Sequence, residues 1–387
     1  MLLNVYSRLN VNFVKGNGVY LYDDKGEEYL DFVSGIAVNC LGHAHPTIAK
    51  ALKEQGEKLI HISNLYYSEA QNKLMEKLLG ASKHDAVFFC NSGTEANELA
   101  IKIGRKHGNL ISKEKTEIVY MKNSFHGRST GALAITGQKK YQDPFRPLME
   151  DTVEVIFNDL NDLKEKVNEK TCAIILEPVQ GEGGLTQATK EFLELAKELS
   201  EKYNALLIFD EIQCGMGRMG TLFAYEQLGV VPDVVTIAKA LGGGVPIGAC
   251  LTKGKASTVM VPGDHGSTYG GNPLVCGVAY AVLTELIDNK VVEGVEKLGK
   301  YAQEKLLKLK ENYPVIEEIR GKGLLIGIKF KENLSNKDVV NKAFENKFLL
   351  VSAGDNVVRY FPPLNVTEEE IDKSIEKLET VLECLCK

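Results

Sequence analysis

The chain has 387 residues, 44% of them hydrophobic and 25% charged, a composition typical of a soluble globular protein with two or three domains. Its net charge of -6 argues against a surface for nucleic acid or anionic membrane, since both need a basic patch. The first residues lack the apolar core of a signal peptide and no apolar run could span a bilayer, so we expect a cytoplasmic protein.

The spacing of cysteine and histidine gives no sign of a disulfide framework or a metal site. The eight cysteines include no CxxC pair and most lie in apolar or motif contexts, which predicts reduced, partly buried thiols. His43 and His45 lie in one turn, but no third residue continues a metal-ligand spacing. We therefore predict no metal.

The predicted elements begin with a β-hairpin over residues 18–35, whose turn is Asp24-Lys25-Gly26. Apolar runs then alternate with helical patterns through the middle of the chain. These strand-like runs span residues 86–90, 117–121, 153–157, 172–176, 205–209 and 234–238. Continuous apolar strands that alternate with helices predict an α/β fold, in which helices cover both faces of a mostly parallel sheet.

The C-terminal part of the chain has a different pattern. Two charged helical stretches, 291–312 and 367–386, flank short strands at 323–330 and 357–361, which predicts a smaller α+β domain. The predicted organisation is an N-terminal segment that packs with the small domain (1–50), a large domain (51–288) and a C-terminal small domain (289–387).

Ligands of a parallel sheet bind beyond the carboxyl ends of its strands, so the segments that follow the predicted strands are candidate sites. After 86–90, Ser92 and Glu95 fit a capping box at the start of a helix. The free N–H groups and hydroxyls of this Ser-Gly-Thr turn can bind phosphate, because the helix dipole favours negative charge. A plain helix cap is the commoner use of such a turn.

Two further turns allow alternative interpretations. After 117–121, Phe125 either covers a flat ligand or packs into the core, and Arg128 either clamps a carboxylate or is solvated. After 172–176, Glu177 and Glu182 lie on a glycine-rich loop, where solvated acids are the commoner explanation.

Asp210 and Lys239 follow the last two predicted strands. Between them, residues 215–220 match the GxGxxG fingerprint of dinucleotide-binding sites. We discount this match because four residues separate it from the strand and no strong amphipathic helix opens after it. A lysine in a loop is usually solvated, and the glycines at 242–244 predict a close backbone approach to a ligand or a partner subunit.

These features are more specific together than separately. Pyridoxal 5'-phosphate (PLP) needs a lysine for its aldehyde, a carboxylate for its pyridine nitrogen, a helix start for its phosphate and an aromatic ring on its pyridine. Lys239, Asp210, the turn at 92–94 and Phe125 offer this set. The sequence therefore predicts a PLP enzyme.

The motifs resemble those of the class III, fold-type I PLP-dependent aminotransferases over nearly the whole chain. The segment at 209–248, which contains FDEIQCGMGRMG and PDVVTIAKALGGGVPIG, is similar to the family's signature and is highly specific. Six more motifs are similar to the acetylornithine aminotransferase branch: GIAVNCLGHAHP (35–46), SNLYY (63–67), NSGTEANE (91–98), SFHGRS (124–129), EPVQGEGG (177–184) and GSTYGGNPL (266–274). The resemblance implies a large domain around a mostly parallel sheet, a smaller α+β domain and a homodimer.

The resemblance also assigns cofactor binding to Gly93, Thr94, Phe125, Asp210, Glu211, Ile212, Gln213, Lys239 and Thr268. Lys239 would form the Schiff base with PLP and shuttle the catalytic proton, and Asp210 would pair with the pyridine nitrogen. Gln213 would reach the phenolic oxygen. Gly93 and Thr94 would bind the phosphate, joined by Thr268 from the neighbouring subunit, and Phe125 would stack on the ring.

Four residues are assigned to the substrates by the same resemblance. Arg128 and Ser267 would hold the α-carboxylate of the amino donor and nearby polar groups. Arg359 would bind the α-carboxylate of glutamate or 2-oxoglutarate. Glu182 would mask Arg359 while the donor reacts, because an unpaired guanidinium in a dry site is costly.

The activity that the resemblance implies is transfer of the terminal amino group of N2-acetyl-L-ornithine to 2-oxoglutarate, a step of arginine biosynthesis. One sequence does not separate this donor from succinylornithine, succinyldiaminopimelate, ornithine or 4-aminobutyrate. Two other hypotheses are an aminomutase similar to glutamate-1-semialdehyde aminomutase and a nucleotide-binding α/β protein that uses the loop at 215–220. Arg359 favours an external dicarboxylate over the aminomutase, and Lys239 would have no role in a nucleotide-binding protein.

Overall fold

The computed structural model describes residues 2–386, and its N-terminal region forms a hairpin followed by helices. The elements are β1 (Phe13–Asn17), β2 (Tyr20–Asp23), β3 (Glu28–Asp31), α1 (Ser34–Ala37), α2 (Pro46–Gly56) and α3 (Glu69–Gly80). The predicted turn joins β2 to β3, where Asp23 Oδ1 accepts hydrogen bonds from the N–H groups of Lys25 and Glu27, each at 2.9 Å. An aspartate that accepts from the following backbone stabilises a turn.

The middle of the chain alternates strands and helices, as the apolar runs predict. Its first half contains β4 (Ala86–Cys90), α4 (Gly93–Ile111), β5 (Glu117–Met121), α5 (Thr130–Ala134), α6 (Lys139–Gln142), β6 (Thr152–Val155), α7 (Leu160–Lys166) and β7 (Thr171–Leu176). Its second half contains β8 (Val179–Gln180), β9 (Thr186–Gln187), α8 (Lys190–Lys202), β10 (Leu206–Asp210), α9 (Tyr225–Leu228), β11 (Val234–Ile237), β12 (Gly248–Thr252) and α10 (Pro273–Ile287).

These strands form a seven-stranded sheet in the order β4-β12-β11-β10-β7-β5-β6. All six predicted strands are present, and every pair between β11 and β6 is parallel. The seventh strand, β12, runs antiparallel to both β4 and β11. The sequence pattern did not predict β12, because its residues, GACLT, continue a glycine-rich loop without a distinct apolar run. The prediction of a mostly parallel central sheet is confirmed.

The C-terminal region contains α11 (Val291–Asn312), β13 (Ile316–Lys322), β14 (Leu325–Phe330), α12 (Asn336–Glu345), β15 (Phe348–Leu349), β16 (Val351–Ser352), β17 (Val357–Tyr360) and α13 (Glu368–Leu385). An antiparallel sheet joins four of its strands in the order β13-β14-β17-β16. The predicted helices and two of these strands are present. The sequence pattern did not predict β13, because its residues, IEEIRGK, are largely charged and only the first of them is buried.

The N-terminal segment pairs with the C-terminal region. Strand β3 lies parallel to β15 and completes the sheet β1-β2-β3-β15. Ser34 Oγ donates to the carbonyl oxygen of Phe361 at 2.7 Å, and the Phe361 N–H donates to Phe32 O at 2.8 Å. The domain boundaries themselves stay predictions.

The core lies around the central strands β7 and β10, in which every residue is buried. Helix α8 packs on these two strands and α4 on β7, β11 and β12. Within residues 2–386, no helix combines the length and apolarity needed to cross a bilayer. All eight cysteines are free, six of them buried, as predicted from their contexts.

His84 is buried in the connection from α3 to β4, and we expect it to make the protein less stable in acid. Burial and then the positive charge of Lys253 lower its pKa from 6.5 to about 4. Between these two values the unfolded chain takes up a proton that the folded chain does not. The contribution of a neutral His84 to the free energy of unfolding is therefore fully present above pH ~6.5. It falls, by at most about 3 kcal/mol, as the pH drops towards ~4.

We expect His84→Gln to reduce the drop in denaturation midpoint between about pH 7.5 and about pH 4.5, because glutamine takes up no proton. Urea unfolding of both proteins at the two pH values measures this. An equal loss in wild type and variant would contradict the role of His84.

Candidate active site

A cavity of about 460 Å³ lies at the edge of the central sheet where the parallel strands end. Residues that follow five different strands line it, among them Thr94, Phe125, Glu177, Asp210, Gln213 and Lys239. The carboxyl ends of the parallel strands thus bring together candidates that are far apart in the sequence, as expected for this type of sheet.

Asp210 is the last residue of β10 and is buried. Its Oδ2 accepts a hydrogen bond from Asn97 Nδ2 at 2.8 Å and lies 2.7 Å from His126 Nδ1. Its Oδ1 accepts the N–H of Ile212 at 3.0 Å. A buried carboxylate is stable only when hydrogen bonds satisfy it, and these three partners also fix its orientation at the cavity wall.

The sequence patterns indicated no role for Asn97 or His126. Asn97 lies on the face of α4 that packs on the sheet, and its Oδ1 accepts from Thr236 Oγ1 of β11 at 2.8 Å. A fully buried asparagine among the apolar residues of that face was the available signal, because such a side chain needs polar partners.

Lys239 follows β11, and its side chain lines the cavity. Burial and then the charge of Arg359 lower the pKa of its amine to about 8. Its backbone has φ +44°, a left-handed conformation that is costly for a residue with a side chain. A lysine in this state is partly unprotonated near neutral pH and is therefore a better nucleophile and base than a solvated lysine.

Two of the glycines after Lys239, Gly243 and Gly244, are required for different structural reasons. Gly244 has φ +130° and lines the cavity, so its backbone forms part of the cavity wall. A Cβ at Gly243 would lie 2.8 Å from Ile48 and 2.9 Å from Val282, too close for any side chain. Gly243 is therefore required by packing against helices α2 and α10, while the predicted close approach to a ligand or a partner subunit stays a prediction.

The start of α4 points Gly93 and Thr94 into the cavity. Ser92 Oγ accepts the N–H of Glu95 at 3.3 Å, but the Glu95 carboxylate accepts from the N–H of Asn91, at 2.6 Å, and not from Ser92. The predicted capping box therefore forms in only one direction. The first turn of a 19-residue helix provides free N–H groups and a positive dipole end, which favour an anion.

Glu177 is buried at the cavity wall, which contradicts its interpretation as a solvated loop acid. Its Oε2 accepts the N–H of Phe125 at 2.8 Å and its Oε1 accepts the N–H of Gly181 at 3.2 Å. Burial and then the charge of Asp210 raise its pKa well above the usual range. Glu177 thus ties the segment of Phe125, whose ring is half-buried at the cavity, to the loop that carries Glu182.

Glu182 and Arg359 form an ion pair, with Glu182 Oε1 2.5 Å from Arg359 Nη1. Arg359 is buried in β17 and also donates from Nη2 to Ser352 O at 2.9 Å. Glu182 lines the cavity. The pair places a guanidinium beside the cavity, with the Glu182 carboxylate between the guanidinium and the cavity.

Arg128 is exposed at the mouth of the cavity. Its guanidinium carbon lies 4.1 Å from the centre of the Tyr141 ring and 5.8 Å from that of Phe125. Arg128 and Arg359 are therefore held in different ways, the first by aromatic rings and the second by a carboxylate.

The residues after Asp210 have different surroundings. The side chains of Ile212 and Gln213 line the cavity. The Glu211 carboxylate is buried elsewhere and accepts the N–H groups of Ala224 at 2.6 Å and Tyr225 at 2.8 Å. Burial raises its pKa to about 8. Its contacts with the start of α9 are structural, so the side chain of Glu211 does not support its predicted role in cofactor binding.

Ser267 and Thr268 lie outside this cavity and line a second one of about 350 Å³. Ser267 Oγ accepts from Asn91 Nδ2 at 3.2 Å and from the N–H of Gly270 at 3.0 Å. Thr268 is exposed. The predicted role of Thr268, to act from a neighbouring subunit, stays a prediction.

The loop at 215–220 packs against the C-terminal region. The guanidinium of Arg218 in this loop is buried and donates from Nη1 to the carbonyl oxygens of Leu324 and Pro362, at 3.3 and 2.5 Å. Its backbone oxygen accepts the N–H of Leu324 at 3.0 Å. A loop buried in this way does not favour the nucleotide-binding alternative.

The residues of the central cavity fit PLP. Gln213 lines the cavity, and its Oε1 is buried without a hydrogen-bond partner in residues 2–386, so the amide is not fully satisfied within the described residues and is available to a polar ligand. A Cβ at Gly181 would lie 2.0 Å from that oxygen, so the neighbouring loop leaves room only for glycine. An anion-binding helix start, a fixed carboxylate and a lysine of lowered pKa match the phosphate, ring nitrogen and aldehyde of PLP. No group of three or more potential metal ligands occurs in the described part of the chain.

Known proteins resemble the chain over its length. The chain is 57% identical to the acetylornithine aminotransferase of Clostridium acetobutylicum over 376 residues, 97% of each chain. The structure of N-acetylornithine aminotransferase from Stenotrophomonas maltophilia matches it with a TM-score of 0.87 and 36% identity, covering 98% of each chain. An ornithine aminotransferase from Toxoplasma gondii, with PLP at partial occupancy in its active site, matches with a TM-score of 0.93 and 32% identity, covering 100% of this chain and 94% of that one.

The model of the family called aminotransferase class-III matches residues 4–382. The match includes all strands of the central sheet and every residue that lines the cavity. The chain therefore belongs to the class III aminotransferases, a family of PLP-dependent enzymes with the fold-type I architecture.

Proposed function

We propose that the protein transfers the terminal amino group of N2-acetyl-L-ornithine to 2-oxoglutarate, giving N-acetyl-L-glutamate 5-semialdehyde and L-glutamate in arginine biosynthesis. The names of the relatives support this donor. The observation that carries the proposal is the buried Arg359 beside the lysine of lowered pKa, covered by Glu182. A site that admits a dicarboxylate only after a carboxylate moves away suits an enzyme with two different substrates.

The residues around the cavity would hold PLP. When bound, PLP supplies an aldehyde that takes the amino group and a ring that withdraws electrons from the reacting carbon. Asp210 would hold the proton on the pyridine nitrogen, because its carboxylate is buried and fixed at the cavity wall. Gly93 and Thr94 would bind the phosphate, Phe125 would cover the ring, and Gln213 would meet the phenolic oxygen.

Lys239 would move the catalytic proton. Its Nζ would take a proton from the substrate carbon that bears the amino group and hold it for the return transfer. General base catalysis is most efficient when the pKa of the base lies near the working pH, and the pKa of Lys239, about 8, meets this condition. Ile212, whose side chain also lines the cavity, would fill the space beside the ring.

Two arginines would receive the carboxylates of the substrates. Arg128 is exposed at the mouth of the cavity and would bind the α-carboxylate of the donor. Ser267 lines the second cavity, which shares Asn91 with the first, and its contact with the donor stays a prediction. Arg359 would bind the α-carboxylate of 2-oxoglutarate or L-glutamate once Glu182 releases it. The ion pair keeps the buried guanidinium from being left without a partner while the donor reacts.

We also propose a cytoplasmic homodimer in which each copy completes the site of the other. Thr268 would reach the phosphate of the neighbouring copy. Large apolar side chains are exposed around it: Leu65, Tyr66, Tyr67 and Tyr269 are each more than half exposed. Asn64 Nδ2 donates to the carbonyl oxygens of Ser267 and Gly270 at 3.1 and 2.9 Å, so the two exposed segments form one surface. Such a patch is typical of a protein interface.

We propose the domain organisation expected from the sequence, in which an N-terminal segment (1–50) packs with a small domain (289–387) beside a large domain (51–288). Pairing of β3 with β15 supports the first association. The ion pair between Glu182 and Arg359 joins the large domain to the small one at the cavity.

Steady-state kinetics with a panel of amino donors tests the proposed reaction. We expect N2-acetylornithine to give the highest kcat/KM among N2-acetylornithine, succinylornithine, succinyldiaminopimelate, ornithine and 4-aminobutyrate, with glutamate formed from 2-oxoglutarate. Lys239→Ala should lower turnover by more than about a thousandfold, since it removes both nucleophile and base. A better donor than N2-acetylornithine would refute the substrate, and turnover retained by Lys239→Ala would refute the chemistry. Turnover without any keto acid would favour the aminomutase.

Glu182→Ala should weaken the discrimination between donors. Without its carboxylate partner Arg359 is open from the start, so the kcat/KM for L-glutamate as donor should rise relative to N2-acetylornithine by about tenfold. Glu194→Ala, which removes an exposed ion pair with Lys190 on α8, is the matched control and should leave the ratio unchanged. An unchanged ratio in Glu182→Ala would remove the masking role.

The reactivity of Lys239 should depend on pH with a midpoint of about 8, because the amine is mainly protonated below its pKa and free above it. Pulse acetylation of the cofactor-free protein at a series of pH values, followed by peptide mass spectrometry, measures this midpoint, with exposed Lys190 as internal reference. Arg359→Leu should raise the midpoint, since the charge of Arg359 contributes to lowering the pKa. A midpoint that stays the same or falls in the variant would contradict this electrostatic coupling.

A further inference from the structure

The two arginines proposed to bind carboxylates differ in which part of the guanidinium is used. Arg359 donates from its edge, through Nη1 to Glu182 and through Nη2 to Ser352 O. For Arg128, the contacts that hold the guanidinium within residues 2–386 are with aromatic rings, and the nearer ring is that of Tyr141 at 4.1 Å. A ring contact uses the flat face of the guanidinium and leaves the N–H donors at its edge free.

This difference has a functional consequence for carboxylate binding. A guanidinium held by a carboxylate must lose that partner before a substrate can bind, whereas one held by a ring is positioned and open at once. The ring also restricts the rotamers of a long side chain, which lowers the entropy lost when a carboxylate binds. Arg128 can therefore bind a carboxylate without first losing a hydrogen-bonded partner.

The neighbouring residue Gln142 ties the short helix α6 to α5, because its Nε2 donates to the carbonyl oxygens of Leu133 and Ala134, each at 3.2 Å. Tyr141 lies on the same helix α6. Its ring meets the Phe125 ring edge to face, with centres 6.0 Å apart and planes at 78°. Tyr141 thus connects Arg128 to the ring at the cavity wall without lining the cavity.

We propose that Tyr141 is a positioning residue for the amino donor. Its ring supports the face of the Arg128 guanidinium and so presents the N–H edge to the α-carboxylate of the donor. This inference rests on the proposed role of Arg128 in donor binding. Tyr141 does not line the cavity, so we expect its effect on the affinity for a carboxylate-bearing donor and not on the chemical step.

A pair of donors that differ only in the carboxyl group isolates this effect. N-acetylputrescine is N2-acetylornithine without its α-carboxyl group. For the holoenzyme, we expect Tyr141→Leu to raise the KM for N2-acetylornithine by about five- to tenfold with little change in kcat, which is the size of one cation–π contact. The kcat/KM for N-acetylputrescine should not change.

Three further variants complete the experiment. Tyr141→Phe keeps the ring and should behave like wild type. Tyr141→Met removes the ring by a second route, in case the leucine variant is unstable, and should match the leucine result. Lys140→Ala removes the other cation over the same ring, whose Nζ lies 4.8 Å from the ring centre, and should leave both donors unaffected.

The outcomes separate this inference from the proposed function. Equal losses for the two donors in Tyr141→Leu would assign Tyr141 a general packing role and overturn the inference. An unchanged KM for N2-acetylornithine would overturn it too, while Arg128→Gln could still show that Arg128 binds the carboxylate. If Arg128→Gln left the ratio of the two donors unchanged, both the role of Arg128 and the inference would fail.

Discussion

The buried carboxylate of Asp210 is the group around which the site is assembled. It is far from bulk water, so it depends on Asn97, His126 and the N–H of Ile212 to offset the cost of burying its charge. These partners come from α4, from the segment after β5 and from the turn after β10. Asn97 also accepts from Thr236 of β11, the strand that leads to Lys239. One hydrogen-bond network therefore fixes the relative positions of the helix start, the cofactor-facing aromatic segment and the lysine.

The other charged groups at the cavity shift one another's pKa values in opposite directions or pair with one another. Burial and Arg359 lower the pKa of Lys239 to about 8, while Glu182, Asp210 and Glu177 act in the opposite direction. Burial and Asp210 raise the pKa of Glu177, which favours its neutral form. An ion pair covers Arg359, and rings support Arg128. The site thus combines one gated and one open guanidinium with a lysine that is partly unprotonated at neutral pH, which suits a reaction with two carboxylate-bearing substrates.

Sequence patterns predicted six of the seven strands of the central sheet and the edge of the sheet where the site lies. Buried parallel strands are continuous apolar runs, and their carboxyl ends must meet, so the sequence alone places Asp210 and Lys239 close together. Strands β12 and β13 were missed because glycine in one and charge in the other conceal the pattern. Asn97 and Tyr141 were missed, and Glu177 was interpreted as solvated, for a different reason. Their roles depend on contacts with residues distant in sequence or on another short helix, and no local spacing reports such contacts.

In the proposed reaction, the amino group passes from an acylated diamino acid to a dicarboxylate in two separable half-reactions. The visible absorbance of the purified holoenzyme follows both half-reactions, because it reports the bound cofactor without any coupled assay. We expect N2-acetylornithine alone, without a keto acid, to bleach the absorbance of the aldehyde form, and 2-oxoglutarate then to restore it while glutamate is released. Absorbance that does not respond to N2-acetylornithine, or that 2-oxoglutarate does not restore, would refute this reaction.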